Sequence, residues 1–206
     1  MKIAFLIDPL DRLKPYKDSS IAMMRAAQAR GHEVFAMHRE QLSARDGVVS
    51  ARATPLKLGS SDEAWYEALP EKRLPLTAFD AVLMRQDPPF DAEYLAATWL
   101  LEHAVAQGAK VWNDPRAIRD HSEKVSIAEF PEFAPTTLIA RDPDELQAFI
   151  DEIGDVILKP LDGMGGTGIF RIRRDDPNRN AIIETLGAEG TRTLMAQRYQ
   201  IGRAHV

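Results

Sequence analysis

No cysteine occurs anywhere in the 206 residues. That absence excludes a disulfide framework, a thiol nucleophile and a cysteine-based zinc site, and it removes any redox clue to compartment. A long lysine and arginine run is missing too. At a formal net charge of −5 the chain offers no positive face to nucleic acid. No apolar stretch approaches the roughly 20 residues that cross a bilayer. The opening MKIAFLIDPLDR has an apolar run too short for a secretory signal, and no small-residue cleavage pattern follows it. The histidines, His32, His38, His103, His121 and His205, show no ligand spacing. Repeats and low-complexity tracts are also absent. What is present, 45% apolar and 28% charged residues, is the composition of a globular protein with ample core. A cytoplasmic enzyme with small-molecule substrates, and with neither nucleic acid nor membrane as partner, is the expectation.

The chain then reads as α/β. Lys2 to Asp8 is an apolar run ending in Asp-Pro, a buried strand. Asp18-Ser19-Ser20 supplies cap oxygens for a helix that Gly31 ends, and Val34 to Met37 is a second strand. This strand, helix, strand order opens a parallel sheet. Leu42 to Leu58 is mixed, and Trp65, Tyr66 and Leu69 suggest a brief helix. Phe79 to Met84 is a strand leading into Arg85-Gln86-Asp87-Pro88-Pro89-Phe90, and Asp91 caps a helix closed by Gly108. A strand at Lys110 to Trp112 precedes two short helical pieces and a loop, FPEFAPTTL. A domain boundary is expected near Ser122. Beyond it, Asp142-Pro143-Asp144-Glu145 starts a helix that ends at Gly154. A strand at Val156 to Lys159, a glycine loop, a strand at Ile169 to Arg173, a helix at Asn180 to Leu186 and a last strand at Thr193 to Tyr199 follow.

The segment Asp155 to Ile172, DVILKPLDGMGGTGIFRI, contains Gly163, Gly165 and Gly168 in the spacing G-x-G-x-x-G. A dinucleotide-binding turn needs a strand before the glycines and a helix after them. Here IFRIRR, which alternates like a strand, follows Gly168. No Lys-Ser or Lys-Thr pair follows the last glycine, so a Walker loop fails as well. Strand, glycine loop, strand is the form of a hairpin that folds over phosphates, its backbone N–H groups pointing at the ligand. Lys159, at the end of the apolar VIL strand, is placed to add an ammonium. A surface hairpin with a solvated lysine is the competing reading.

Several longer stretches carry a resemblance. LIDPL at Leu6 to Leu10, KDSSIAMM at Lys17 to Met24 and VLMRQDPPFDAEYLAATWLLE at Val82 to Glu102 are joined by NDPRAIRDHSEK, VILKPLDGMGGTGIFRI and GTRTLMAQRYQ. With these the chain resembles the amino-terminal two thirds of bacterial glutathione synthetase, an ATP-grasp ligase. The resemblance implies a parallel-sheet, Rossmann-like pre-ATP-grasp domain over 1–122, and an incomplete α+β ATP-grasp domain over 123–200 with its lid and glycine loop. An atypical tail follows over 201–206. It implies glutathione synthase activity, an ATP-dependent carbon–nitrogen ligation of γ-glutamylcysteine to glycine through an acyl phosphate. Lys124 and Lys159 match lysines that contact ATP phosphates. Gly163, Gly165, Gly166 and Gly168 match the loop that closes over them. Met195, Gln197 and Tyr199 match the stretch whose backbone edge recognises adenine. Arg85, Asp87, Pro88, Pro89 and Phe90 match the peptide-substrate side. Lys159 and Arg85 are the expected catalytic residues, and the family assembles as homotetramers.

After Gln200 the sequence IGRAHV departs from the family pattern. The family's Mg²⁺ ligands lie in sequence beyond this point. The expectation is therefore a truncated and inactive chain, its last strand at the open edge of a half-built sheet. A non-catalytic ligand-binding fragment is one alternative. A nicotinamide-dependent oxidoreductase is another, disfavoured by the strand after Gly168.

Overall fold

A computed structural model describes residues 1–200; the tail expected over 201–206 lies outside the described residues. The chain forms two compact units. One consists of Met1–Asp87 with Asp91–Asp120, and the other takes in Pro88–Phe90 and the chain from His121 onward.

The first unit is built on an eight-stranded sheet. Its strands are β1 (Lys2–Leu6), β2 (Glu33–Met37), β3 (Leu42–Arg45), β4 (Val48–Leu58), β5 (Tyr66–Ala68), β6 (Lys72–Pro75), β7 (Ala81–Met84) and β8 (Val111–Trp112). The main path runs β3-β4-β2-β1-β7-β8, and β5 and β6 also pair with β4. Strands β2, β1, β7 and β8 are parallel, with Ile3 opposite both Val34 and Ala81. The near-continuous apolar sequence of β1 is what a strand covered on both faces requires. Helix α1 (Ser19–Ala29) starts where Asp18 Oδ1 accepts from the Ser20 and Ile21 amides, and Gly31 at φ +78° ends it. Its Ile21 and Met24 pack with Phe5, Ile7 and Val34. Helix α2 (Ala92–Ala106) is capped by Asp91, which accepts from the Tyr94 amide at 2.8 Å, and α3 (Pro115–Asp120) follows β8.

Two local expectations change in this unit. The mixed segment from Leu42 to Leu58 contains the long strand β4. Its first half pairs with β3 and β6 and its second half with β2 and β5. The helix expected around Trp65 to Leu69 is strand β5. So short a segment gains too little from a helical nucleus, whereas Tyr66 to Ala68 find partners in Leu58 to Leu56.

The second unit holds β9 (Thr137–Ala140), α4 (Pro143–Ile153), β10 (Asp155–Pro160), β11 (Phe170–Arg173), α5 (Arg179–Leu186) and β12 (Leu194–Arg198). Asp142 caps α4 by accepting from the Asp144 amide, Pro143 stands at its first turn, and Gly154 ends it at φ +84°. All strand pairs are antiparallel, in the order β11-β10-β12-β9. Val156, Leu158, Ile172, Leu194 and Ala196 point to one face, where Leu146 and Ile150 of α4 and Ile183 and Leu186 of α5 cover them.

This arrangement overturns the expectation of an incomplete second domain with an exposed last strand. Strand β12 is an inner strand, with Met195 opposite Lys159 on one side and Ile139 on the other. The physical reason is β9. TLIA emerges from a proline-rich stretch read as loop, yet it pairs with β12 and closes the edge the sequence reading left open. Leu158, Ile172 and Leu194 are fully buried. Each contributes on the order of 1.5–3 kcal/mol to the unit's own core.

Candidate functional site

In the second unit the glycine loop joins β10 to β11, and the strand after Gly168 is observed, not a helix. That removes the structural context of a dinucleotide turn and with it the oxidoreductase reading. Gly165, Gly166 and Gly168 have φ of +63°, +82° and +71°, which side chains other than glycine adopt at a cost. Gly163 has another reason to be glycine. A Cβ there would stand 3.2 Å from Pro160 Cγ and 3.3 Å from the Thr167 carbonyl oxygen. The loop walls a cavity of about 340 Å³ with Glu123, Lys124 and Pro160. Lys124 Nζ donates to the Gly163 carbonyl and, at 2.7 Å, to Glu123 Oε1. Arg192 pairs with Asp162 at the loop's first turn.

Lys159 lies on the sheet face opposite the helices. Antiparallel register puts it on the same face as Ile157, Met195, Gln197, Ile139 and Thr137. Its Nζ donates to Gln197 Oε1 at 2.7 Å; Gln197 Nε2 donates to Thr137 Oγ1 at 2.9 Å; Thr137 Oγ1 donates to the Pro135 carbonyl at 2.7 Å. Burial holds the Lys159 ammonium below the ordinary lysine range, the Lys124 charge pushes it the same way, and Glu123 opposes both. Farther along this face Arg171 grips Asp155 with two hydrogen bonds and lies over the Tyr199 ring, 3.6 Å from its centroid.

The sequence-derived residues thus fall into groups. Lys124, Gly163, Gly165 and Gly166 line the cavity, and Gly168 lies in the same loop without lining it. Lys159, Met195 and Gln197 share the sheet face. Tyr199 packs against Arg171. Because β12 is flanked on both sides, the peptide groups of Met195 and Gln197 face neighbouring strands, and it is their side chains that stand on the shared face. Thr137, Glu123 and Arg171 were missed by sequence reasoning. Only the β-branched start of TLIA hinted at Thr137, and nothing marked the other two.

In the first unit Arg85 follows the end of β7, its amide donating to the Leu6 carbonyl at 2.8 Å. Its guanidinium donates to Ser20 Oγ at 3.3 Å and Ser19 Oγ at 2.8 Å, at the start of α1. Asp8 Oδ2 accepts from the Asp87 amide at 2.9 Å, tying the ends of β1 and β7 together. Carboxyl ends of adjacent parallel strands are where clefts form in such sheets. The Pro88–Pro89 bond of the following turn is cis.

Mg²⁺ takes oxygen ligands, usually including carboxylates. Among the described residues no group of three or more histidine, aspartate or glutamate side chains is placed to hold a metal ion. Among them no helix is long and apolar enough to cross a membrane.

An antiparallel sheet with a glycine hairpin and two lysines, after a unit with a parallel-centred sheet, is the arrangement of an ATP-grasp protein. A RimK domain ATP-grasp protein from Sphaerobacter thermophilus superposes with a TM-score of 0.63, covering 99% of this chain and 66% of that chain at 22% identity. D-cycloserine synthetase gives 0.60 over 97% and 59% at 17% identity. Such likenesses show the fold. Sequence comparison shows more: residues 1–119 match the N-terminal domain of prokaryotic glutathione synthetase, and 123–203 match its ATP-grasp domain. The glutathione synthetases of Ralstonia nicotianae and Nitrosomonas europaea are 55% and 52% identical over 199 and 202 residues. The chain belongs to the prokaryotic glutathione synthetase family, a family of ATP-dependent ligases.

These matches also correct the expectation of an incomplete second domain, which was the ground for expecting an inactive chain. Family sequence takes up 1–119 and 123–203, nearly the whole chain, and it runs past Gln200 into the stretch expected to be an atypical tail. The alignments cover 97% of this chain and span 61% and 63% of the length of those relatives.

Proposed function

We propose that the chain carries out glutathione synthase chemistry, joining γ-glutamylcysteine to glycine with ATP, as a cytoplasmic homotetramer. The observation that carries this reading is the cavity where Lys124 meets the Gly163 carbonyl beneath the glycine loop. A carboxylate at neutral pH is a poor electrophile. Transfer of the ATP γ-phosphoryl group to an oxygen of the cysteinyl carboxylate gives an acyl phosphate and ADP. The glycine amine then attacks the acyl carbon, loses a proton and expels phosphate.

The roles of the chain's own residues are binding and orientation. Lys124 and Lys159 neutralise phosphate charge. Backbone N–H groups of Gly163, Gly165, Gly166 and Gly168 supply donors to the same oxygens and exclude water. Met195, Gln197 and Tyr199 stand on the adenine side. Arg85, held in a fork by Ser19 and Ser20, pairs with a carboxylate of the dipeptide. Asp87, Pro88, Pro89 and Phe90 shape the turn that receives it.

The test is ADP formation by the purified chain with Mg-ATP and γ-glutamylcysteine, with and without glycine. Turnover that needs both the dipeptide and glycine is the expected result. ADP release indifferent to the dipeptide, or none at all, overturns the proposal.

A further inference from the structure

We infer that Gln197 is a positioning residue for Lys159, with its amide oriented by Thr137 so that the ammonium is presented to the nucleotide's phosphates. The inference rests on the ATP-binding reading above and adds to it a role for two side chains that need not touch the ligand.

The chain of hydrogen bonds has one consistent direction. Thr137 Oγ1 spends its only proton on the Pro135 carbonyl, so it faces Gln197 as an acceptor. The amide nitrogen of Gln197 must therefore point to Thr137 and its oxygen to Lys159. A flipped amide would set N–H against ammonium at one end and oxygen against oxygen at the other. Gln197 is 8% exposed and anchored in an inner strand, so the acceptor is fixed in space.

Lys159 needs such an acceptor. Its neighbours Met195, Ile157 and Ile139 on the same face are apolar. The charge of Lys124 repels it, and Glu123, which attracts it, is already bonded to Lys124 at 2.7 Å. One ammonium proton on Gln197 leaves two for phosphate oxygens. A neutral acceptor also leaves the full positive charge available, which a glutamate in the same place would cancel.

The experiment measures the affinity of the full chain for a non-hydrolysable ATP analogue across pH, together with the Lys159 titration followed by NMR of labelled lysine. Gln197→Leu should weaken binding about tenfold or more, the order of a lost hydrogen bond to a charged group, and move the titration to lower pH. Gln197→Glu should move the titration to higher pH while still weakening binding. Thr137→Val, a near-isosteric change on an edge strand, should show a smaller loss of the Gln197→Leu kind even where Gln197→Leu fails to fold. In a Lys159→Met background, neither Thr137→Val nor Gln197→Leu should change affinity further. A merely structural role would lower affinity in both backgrounds and leave the Lys159 titration in place, and that result overturns the inference. If Lys159→Met weakens binding while the Thr137 and Gln197 variants bind like wild type, positioning alone fails. If Lys159→Met binds the analogue unchanged, the ATP-binding reading fails and takes the inference with it.

Discussion

Asp155 and Arg171 reach each other diagonally across the β10–β11 ladder, where Arg171 stands opposite Ile157, in a two-pronged ion pair, Nε to Oδ1 at 2.9 Å and Nη2 to Oδ2 at 2.6 Å. The hydrogen bond from Arg171 is the largest cause holding the Asp155 carboxyl below its ordinary value. A depressed carboxylate stabilises the folded state fully above its unfolded pKa, near 3.9, and loses that contribution as pH falls through the folded value. Urea midpoints of wild type and Asp155→Asn should therefore differ at neutral pH and converge below about pH 4. Because the pair is largely solvent-facing, the difference should be small. A gap that widens on acidification would contradict the assignment.

Leu158 is fully buried against α4 and α5. Leu158→Ala should destabilise the second unit by about 2–5 kcal/mol through lost burial and the cavity left behind. All three tryptophans, Trp65, Trp99 and Trp112, lie in the first unit. Amide hydrogen exchange in 155–198, not tryptophan fluorescence, is therefore the measurement that reads the loss.

Within the loop the glycines should not respond alike. Gly165 has φ +63° with open space around it, so Gly165→Ala incurs only the left-handed backbone penalty of about 1–2 kcal/mol. Gly168→Ala adds a Cβ 3.3 Å from Pro160 Cγ to a φ of +71°. Nucleotide affinity should fall more for Gly168→Ala than for Gly165→Ala, as isothermal calorimetry would show. The reverse order would mean that the space over Pro160 is not what the loop preserves.

Arg85→Lys keeps the charge but cannot reproduce a fork that reaches Ser19 and Ser20 together. Under the proposed reading it should raise KM for γ-glutamylcysteine about tenfold, on the order of one charged hydrogen bond, with little change in KM for ATP. Ser19→Ala should fall between. Steady-state kinetics with each substrate varied in turn decides it; an effect mainly on ATP would place Arg85 elsewhere in the mechanism.

The sequence made some elements plain and hid others for identifiable reasons. The caps at Asp18, Asp91 and Asp142 stand one residue before periodic helices, so α1, α2 and α4 were read with their starts. The strand, glycine loop, strand order around Gly163 to Gly168 was legible because β-branched alternation resumes at once. Strand β9 was not, since four residues after a proline-rich stretch carry no periodicity worth reading, and their pairing is with residues far along the chain. Missing β9 made β12 look like an edge. The Lys159–Gln197–Thr137 chain was invisible for the same reason, because it exists only once β9 and β12 are neighbours.

The order β11-β10-β12-β9 has a temporal side. Strands β9 and β10, made first on the ribosome, leave a gap that only β12 fills. Closing the sheet must wait for contacts distant in sequence, which slows folding relative to local hairpin closure. During synthesis Leu138, Val156 and Leu158 stay short of their partners until Leu194 to Arg198 have cleared the exit tunnel. For this sheet the nascent chain's vulnerable interval is thus set by the position of a single five-residue strand.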